Sequence, residues 1–269
     1  MIFIISCARS GSSILAETLG QHPLIDNKGE QLQAFWGSFG ETPDHHELEA
    51  GDASLEVSQR IFNKILLPYA ETAINPLDKC PPNSLRIPFL RAAVPNARFI
   101  HLVRDGRDVA LSLMPGVSGE EGHKWSHLKP RHWRSLEREH FKIDRCARLW
   151  WYVVEKAAAD LQGADALTVK YEDLVDSPAG ALTSIFNWLS LKDDDAAKRY
   201  KVFEFAAASI SNDTSAPYHA AGQTFWYRPD HKWRVGRWKD QMTPVLQKVT
   251  TDMLSKTLEK FGYESRSSV

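Results

Sequence analysis

The sequence predicts an α/β fold in which one parallel sheet has helices on both faces, within a single domain spanning residues 1–269. The first observation is the continuous apolar run at residues 2–5, which is typical of a strand buried in a parallel sheet. The second is that further apolar runs alternate with segments of helical periodicity. The third is a length of 269 residues with no internal repeat or linker, which favours one domain.

The predicted elements follow one another in regular alternation. We predict strands over residues 2–5, from residue 24, and over 73–79, 98–103 and 166–171. We predict helices from residue 14, over 55–69 and 83–94, from residue 109, and over 135–161, 178–189 and 244–261. Residues 209–239 show little periodicity. Because helices separate successive strands, the strands are expected to run parallel.

Composition and charge exclude several classes of partner. Hydrophobic residues make up 43% and charged residues 25% of the chain, as in ordinary soluble proteins. The net charge of -1 provides no general attraction for nucleic acid or acidic membranes, so any anion must be held by a local cluster. The run at residues 2–5 is too short for a signal peptide or a membrane span. We therefore expect neither a nucleic-acid partner nor a membrane span, while the oligomeric state stays open.

Cysteine and histidine usage bears on location and metals. The three cysteines form no C-x-x-C motif and leave one unpaired in any disulfide scheme, so we expect reduced thiols and a cytoplasmic enzyme. His45, His46 and Glu47 are consecutive, and neighbours in sequence rarely point at one ion. The sequence therefore predicts a solvated loop there and no metal site.

A short loop after the first strand carries the first candidate site. Arg9-Ser10-Gly11-Ser12-Ser13 has little bulk near its backbone and leads into the first predicted helix. A strand, a small-residue loop and a helix N-terminus together direct free N–H groups and the positive end of a helix dipole at one point. Arg9 adds a charged, forked donor, and Ser12 and Ser13 add hydroxyl groups. This arrangement predicts a phosphate site, although an ordinary turn with a solvated arginine remains open.

Two better-known anion loops do not fit this spacing. The nucleotide-kinase loop requires G-x-x-x-x-G-K-[ST], but here Ser6 replaces the first glycine and Ser12 stands where the lysine should follow Gly11. A cysteine phosphatase would need an arginine six residues after Cys7, and that position is Ser13.

A second candidate element follows the strand predicted over residues 98–103. Arg104 leaves the end of this strand, and Ser112 lies eight residues later, two turns into the next helix. Two anion sites at neighbouring strand ends would suit a ligand with phosphates at two separated positions. On its own, Arg104-Asp105-Gly106-Arg107-Asp108 is weak, because arginines beside aspartates usually form surface ion pairs.

Together these elements resemble the sulfotransferases that use 3′-phosphoadenosine 5′-phosphosulfate (PAPS). In that family R/K-S-G-[ST]-[ST] holds the 5′-phosphosulfate and R-D-x-R-D-x-x-x-S holds the 3′-phosphate. Residues 9–13 and 104–112 match these two patterns. Residues 171–174, Tyr-Glu-Asp-Leu, look like the family's Y-E-D-L element, in which the tyrosine lies by the adenine, and residues 235–239 look like its late G-x-W-[KR] segment.

The resemblance implies a fold, a co-substrate and a set of binding residues. It implies a P-loop-like parallel sheet, transfer of a sulfuryl group from PAPS, release of 3′,5′-phosphoadenosine (PAP), and no need for a metal. The residues implied to bind the nucleotide are Arg9, Ser10, Gly11, Ser12, Ser13, Arg104, Ser112 and Tyr171.

Catalytic residues are implied by the branch that contains tyrosylprotein sulfotransferases and many bacterial relatives. In that branch a Gly-Glu pair about twenty residues after the loop arginine supplies the base, and Glu30 stands at that place. A K-x-P element supplies a lysine near the sulfuryl group, and Lys79 matches it. The cytosolic branch uses a histidine base, for which this chain has no good counterpart. The implied catalytic set is therefore Glu30, Lys79 and Arg9, although Glu30 could instead merely pair with Arg9 or Lys79.

The late segment departs from the family pattern. Where the cytosolic branch has R-K-G, this chain reads His231-Lys232-Trp233, so only Lys232 carries over directly. Arg234 or Arg237 could replace the missing groups. All three basic residues are therefore candidates for binding the 3′-phosphate.

The acceptor cannot be identified from the sequence. Residues 35–54, 114–140 and 210–230 match no family motif and are expected to line or cover the acceptor side as loops or a lid. Their aromatic and basic residues would suit a sugar, a phenol or an acidic molecule: Trp36, His123, Trp125, His127, Arg131, Trp133, Trp226 and Tyr227. A hydroxyl acceptor on a small molecule, glycan or peptide is expected, with an amine second. A nucleoside or sugar kinase of related fold and a non-catalytic nucleotide-binding module remain as alternatives.

Overall fold

A computed structural model describes residues 1–30, 45–117, 128–136, 142–191, 196–210 and 231–265. Its core is one five-stranded parallel sheet in the order β2-β3-β1-β4-β5. The strands are β1 (Ile2–Ile5), β2 (Ile25–Asn27), β3 (Asn75–Lys79), β4 (Arg98–Val103) and β5 (Asp165–Lys170). The α/β parallel-sheet fold expected from the sequence is therefore confirmed.

The helices of the described ranges are numbered in chain order. They are α1 (Ser12–Leu19), α2 (Leu55–Ile61), α3 (Ile87–Ala93), α4 (Gly106–Val117), α5 (Trp133–Leu136), α6 (Lys142–Asp160), α7 (Tyr171–Asp176), α8 (Pro178–Trp188), α9 (Ala196–Ile210), α10 (Trp238–Gln241) and α11 (Pro244–Lys260).

Strand β1 is central because it pairs with β3 on one side and β4 on the other. Ile4 is in register with Lys79 of β3 and with Ile100 of β4. All four residues of β1 are buried, as its apolar run predicts. Because the strands are parallel, the carboxyl ends of β3, β1 and β4 meet at one edge of the sheet, which is where ligands bind in such folds.

Alternate residues of β1 point into different hydrophobic clusters, because successive side chains of a strand lie on opposite faces. Ile2 and Ile4 pack with residues of α1, α8 and α9. Phe3 and Ile5 pack with residues of α2, α3 and the end of α6. A third cluster joins α4, α6 and α11 beside the carboxyl edge of the sheet. Burial of both faces is the arrangement that a parallel sheet requires.

Several element boundaries differ from the sequence prediction. The helix predicted over residues 55–69 continues beyond α2 as a π-helical turn (Phe62–Leu66) and then a 3-10 turn (Leu67–Tyr69), where Pro68 lacks the N–H that a longer α-helix needs. The helix predicted over 83–94 begins as a 3-10 turn (Pro81–Leu85) that precedes α3. Helix α9 was not predicted, because its apolar face is weak in the sequence.

Candidate active site

The first predicted phosphate loop connects β1 to α1. Gly11 occupies the N-cap position of α1 with φ 93°, so no side chain caps the helix at this residue. The first N–H groups of a helix have no partner within it, and a ligand can satisfy them. Ser10 lies buried in this loop, and its hydroxyl has no hydrogen-bond partner among the described residues. The loop thus presents backbone donors at the carboxyl edge of the sheet.

Gly11 is required for space as well as for conformation. A Cβ added to it would lie 2.4 Å from Cδ2 and 2.6 Å from Cε2 of Tyr171, well inside van der Waals contact. The aromatic ring therefore lies against the backbone of the loop. Its φ of 93° also falls in the left-handed region that glycine adopts without strain.

Arg104 joins the second predicted element to the first. Its Nη1 donates to the carbonyl oxygen of Arg9 at 3.2 Å, and its guanidinium lies 4.5 Å from the ring centroid of Tyr171. The Nε of Arg104 is buried and has no hydrogen-bond partner in the part of the chain that the structure describes. Arg9 in turn donates from Nε to Oγ of Ser112 at 3.2 Å. The two elements are therefore directly connected.

These side chains line one open cleft. The lining residues are Arg9, Gly11, Ser12, Ser13, Ile14, Arg104, Ser112, Tyr171, His231 and Arg234. All of them except Ile14, His231 and Arg234 belong to the set that the resemblance implies for nucleotide binding, and Arg234 is one of the late-segment candidates. The sequence predicted two anion sites at neighbouring strand ends that hold one ligand, and the structure places both elements at one cleft because β1 and β4 are adjacent strands.

Arg107, the second arginine of the Arg104–Asp108 segment, faces the protein interior. Arg107 donates to Oδ1 of Asp105 from Nε at 3.0 Å and to Oδ2 from Nη2 at 2.7 Å. It also donates to Oγ1 of Thr251 at 3.3 Å and lies 3.8 Å from the ring centroid of Trp238. A buried arginine paired in this bidentate way has a structural role. Of the two arginines in the segment, only Arg104 lines the cleft.

The late segment contributes one of its three candidate basic residues to the cleft. Arg234 lines it, whereas Lys232 is exposed in a 3-10 turn and Arg237 is not among the lining residues. His231 is buried and also lines the cleft, with its Nδ1 2.8 Å from the hydroxyl of Tyr171. Sequence reasoning missed His231 as a site residue. Its position in place of the family's R-K-G triplet was the available signal.

Burial governs the ionisation of the aromatic and acidic groups around the cleft. Burial raises the pKa of Tyr171 to about 12, although nearby Arg104 and Arg234 oppose the rise. The phenol therefore stays neutral near pH 7. Burial also raises the pKa of Glu172, whose carboxylate accepts from the backbone N–H of Asp105 at 3.0 Å. Tyr171 is the first residue of α7 and not, as predicted, the last of a strand, so its ring turns toward the loop.

The candidate base and lysine lie together at the carboxyl ends of β2 and β3. Lys79 Nζ forms an ion pair with Oε1 of Glu30, whose side chain is 47% exposed against 10% for the lysine. The backbone N–H of Lys79 donates to the carbonyl oxygen of Gly29 at 3.0 Å, which brings Lys79 and Glu30 side by side. Neither Glu30 nor Lys79 is among the residues that line the cleft described above.

A serine pair connects the turn after Lys79 to the phosphate loop. Ser84, in the 3-10 turn that follows β3, accepts from the N–H of Ser6 at 2.8 Å and donates to its carbonyl at 2.7 Å. Both serines are buried. This reciprocal bond holds the end of β1 against the chain that follows Lys79.

Most of the predicted acceptor-side residues lie outside the described ranges: Trp36, His123, Trp125, His127, Trp226 and Tyr227. Among the others, Arg131 pairs with Glu47 and Glu49, and Trp133 lies 4.8 Å, centroid to Nζ, from Lys129. His46 accepts from the N–H of Lys129 through Nδ1 at 2.9 Å.

Metal-binding clusters and membrane-spanning helices are both missing from the described residues. Within these ranges, no group of three or more His, Cys, Asp or Glu side chains is arranged to hold a metal ion. Among the helices that the structure describes, none combines the length and apolar character needed to cross a membrane.

Comparison with known proteins decides the family. A model of the sulfotransferase family matches residues 2–195, well over half of the chain. The chain belongs to the sulfotransferase family. The match spans β1 to the end of α8 and includes the phosphate loop, the Arg104–Ser112 element and Tyr171. The resemblance found in the sequence is thereby confirmed at the level of the family. No curated protein matches the chain significantly.

Solved sulfotransferase structures share the fold at low sequence identity. The sulfotransferase domain from the curacin biosynthetic pathway is 17% identical, with a TM-score of 0.59 over 98% of both chains. Mouse sulfotransferase SULT7A1, solved in complex with PAP, is 16% identical with a TM-score of 0.55 over 96% of this chain and 84% of its own. The sulfotransferase domain of the Synechococcus PCC 7002 olefin synthase is 21% identical with a TM-score of 0.53 over 98% and 94%.

Proposed function

We propose that this sulfotransferase moves the sulfuryl group of PAPS to an acceptor hydroxyl, with an amine as the second candidate acceptor. The observation that carries the proposal is the single cleft lined by both the phosphate loop and the Arg104–Ser112 element. A ligand with phosphate groups at two separated positions would occupy both ends of such a cleft. The mouse relative complexed with PAP supports the same class of ligand.

The phosphate loop is assigned to the 5′-phosphosulfate. The first N–H groups of α1 and the hydroxyls of Ser12 and Ser13 would donate to its oxygens, and the Arg9 guanidinium would add a charge-assisted contact. Ser10 stands in the same loop with a buried hydroxyl that has no partner among the described residues.

The 3′-phosphate is assigned to the other end of the cleft. Arg104 and Ser112 match the family element, and Arg234 is the late-segment cation that lines the cleft. The buried Nε of Arg104 offers a donor that no described residue satisfies. Tyr171 would lie against the adenine. Lys232 and Arg237 are retained as weaker candidates, since neither lines the cleft.

The transfer step is assigned to Glu30 and Lys79. The acceptor oxygen forms a bond to sulfur while the bond from sulfur to the 5′-phosphate oxygen breaks, and PAP leaves. Glu30 takes the acceptor's proton. Charge grows on the bridging oxygen in a loose transition state, as in phosphoryl transfer. Lys79 and Arg9 would stabilise that charge, because they interact with it more strongly in the transition state than in the ground state.

The ion pair between Lys79 and Glu30 is compatible with both assignments. An ammonium group has three donors, so Lys79 can hold the carboxylate and still donate to the sulfuryl group. The partial exposure of Glu30 leaves room for an acceptor to approach.

The direct test is turnover of labelled PAPS with a panel of hydroxyl and amine acceptors, in the presence of a chelator. We expect acceptor-dependent release of PAP that does not require added magnesium. The absence of transfer to every acceptor class, or a strict need for magnesium and a nucleoside triphosphate, would contradict the proposal.

Binding measurements test the assignment of the two cleft ends. Arg104→Ala should weaken binding of PAP by about 1.5–3 kcal/mol, while binding of adenosine 5′-monophosphate, which lacks the 3′-phosphate, should change little. Ser112→Ala is the milder variant and should show the same selectivity. Arg60→Ala removes an arginine from the exposed surface of α2 and serves as the control. Equal losses for both nucleotides would overturn the assignment.

A further inference from the structure

The late segment, residues 231–238, is held against the cleft from three different elements. At its beginning, the Tyr171 hydroxyl lies 2.8 Å from Nδ1 of His231. In its middle, Nη2 of Arg104 donates to the carbonyl oxygen of Arg234 at 2.5 Å. At its end, the Asp108 carboxylate accepts from two backbone N–H groups. Because this segment is a short 3-10 turn followed by a bend, these contacts define its path.

Asp108 makes the most specific of these contacts. Its Oδ2 accepts from the N–H of Gly236 at 2.8 Å, and its Oδ1 accepts from the N–H of Trp238 at 3.0 Å. Gly236 has φ 71°, a conformation that permits the chain to turn both N–H groups toward one carboxylate. Asp108 itself is fully buried in the first turn of α4, one turn before Ser112. One helix therefore contacts both the late segment and the phosphate loop.

Keeping a carboxylate at this position is costly for folding. Burial raises the pKa of Asp108 and neighbouring Asp105 adds to the rise, while the charge of Arg104 and the two backbone N–H groups oppose it. The Nη2 of Arg104 lies 3.7 Å from Oδ2 of Asp108. A buried charge with a raised pKa is poor evidence for a purely stabilising role, because an apolar residue often does as well.

We propose that Asp108 is a positioning residue that presents Arg234 to the nucleotide. Its two bonds hold Gly236 and Trp238, and thereby fix the chain two residues beyond Arg234 at the wall of the cleft. This inference rests on the proposed function, in which Arg234 contacts the 3′-phosphate. Asp108 touches neither the nucleotide nor the acceptor in this role.

The direction in which Asp108→Asn changes PAP affinity distinguishes a positioning role from a purely electrostatic effect. Removing a negative charge beside Arg104 should by itself tighten the binding of an anion, since the local potential becomes more positive. Loss of positioning should weaken binding instead, because Arg234 is no longer held at the cleft. Asp108→Asn keeps the side-chain volume but removes the charge and one of the two acceptor oxygens.

The experiment measures dissociation constants for PAP and for adenosine 5′-monophosphate in a double-mutant cycle. Its members are the wild type, Asp108→Asn, Arg234→Ala and the double variant. We expect Asp108→Asn to weaken PAP binding roughly tenfold with little change for the monophosphate. In the Arg234→Ala background, Asp108→Asn should cause no further loss, and the charge removed beside Arg104 should leave PAP binding unchanged or slightly tighter. Asp240→Asn removes an exposed carboxylate from α10 and serves as the charge control.

Four results would overturn the inference. They are unchanged or tighter PAP binding by Asp108→Asn, equal losses for both nucleotides, additive losses in the double variant, and an Arg234→Ala variant that binds PAP normally. If Asp108→Asn fails to fold, Gly236→Pro tests the same contact, because it removes the donated N–H and forbids φ 71° while leaving Asp108 in place. It should show the same selective loss, and normal PAP binding by this variant would overturn the inference.

Arg104→Ala separates this inference from the proposed function. If Arg104→Ala loses PAP selectively while the Asp108 and Arg234 variants do not, the positioning role fails and the proposed function stands. If Arg104→Ala also binds both nucleotides normally, the assignment of the cleft itself fails.

Discussion

The cleft and the Glu30–Lys79 pair lie at the same edge of the sheet but differ in the partners of their basic side chains. In the cleft, the hydrogen bonds described for Arg9 and Arg104 go to a hydroxyl and to backbone carbonyls, which carry no net charge, and the Asp108 carboxylate lies 3.7 Å from Arg104. At the carboxyl ends of β2 and β3, Lys79 instead faces the carboxylate of Glu30 directly. The first region therefore groups three arginines, Arg9, Arg104 and Arg234, at one cleft, whereas the second pairs one cation with one carboxylate.

This difference suits the cleft to nucleotide binding and the Glu30–Lys79 pair to the transfer step. Three arginines at one cleft are suited to holding a doubly phosphorylated nucleotide, because phosphate oxygens accept charge-assisted hydrogen bonds from guanidinium groups. A lysine paired with a half-exposed carboxylate is suited to proton transfer beside a leaving group. If this assignment of roles is correct, variants of one region should change affinity and variants of the other should change rate.

The largest expected effect is that of Glu30→Gln. We expect kcat to fall by about 10²–10⁴, since the amide cannot accept the acceptor's proton, while PAP affinity stays nearly unchanged. The measurement is steady-state turnover of PAPS together with PAP titration. A large loss of PAP affinity with little change in kcat would show that Glu30 supports the binding cleft, and the contrast between the two regions would be lost.

Gly11→Ala tests whether the phosphate loop contacts the nucleotide. The new Cβ would meet the ring of Tyr171 at 2.4 Å, and the residue would have to adopt φ 93°. We expect a loss of about 2 kcal/mol in the free energy of unfolding and weaker PAP binding. Gly51→Ala is a matched control, because a Cβ there meets nothing within 4 Å. Normal PAP affinity in Gly11→Ala would mean that the loop is not in contact with the nucleotide.

Glu47→Gln provides a comparison with a buried carboxylate that is hydrogen-bonded within the protein. Glu47 is buried and accepts from the N–H of Arg131 at 2.7 Å and the hydroxyl of Tyr152 at 2.8 Å. We expect a loss of about 1 kcal/mol in the free energy of unfolding near pH 7, with kcat affected far less than by Glu30→Gln. Urea unfolding and turnover assays provide the two measurements.

The stability loss caused by Glu47→Gln should depend on pH. Burial acts to raise the pKa of Glu47, but the hydrogen bonds from Arg131 and Tyr152 and the charges of Lys156 and Arg131 outweigh it, so the pKa lies below its ordinary value of 4.5. A lowered carboxyl pKa contributes stability above the ordinary value, and this contribution is lost as pH falls through the lower folded-state pKa. The stability difference between wild type and Glu47→Gln should therefore shrink below pH 4.5. A difference that is constant with pH would refute this account.

Much of the cleft was predictable because its residues are local in sequence. The run Arg9–Ser13 follows a recognisable strand and precedes a recognisable helix, so its place at the carboxyl edge of the sheet could be predicted from the sequence alone, and phosphate binding there stays a prediction. Arg104 and Ser112 were assigned in the same way from a strand, a turn and a helix. Spacing along one or two elements was sufficient for these residues, because the backbone geometry of a strand followed by a helix is nearly fixed.

Contacts between distant segments were not predictable. Nothing in the spacing of Arg104 and Arg107 says that the first lines the cleft while the second pairs with Asp105 in the interior. His231 entered the site only because its segment returns to Tyr171, sixty residues away in the chain. Asp108 likewise meets Gly236 and Trp238 across more than a hundred residues.

The sequence by itself determined the parallel α/β fold, the family and the residue types able to hold two phosphate groups. These depend on local apolar periodicity and on short spacings, which a linear chain carries directly. Only the tertiary structure decided that both phosphate elements share one cleft, that Arg234 is the late-segment cation beside it, and that Asp108 anchors that segment. The reason is that packing of the whole core sets the order of the strands and the place where a distant segment folds back against the sheet. No short stretch of sequence encodes either of these alone.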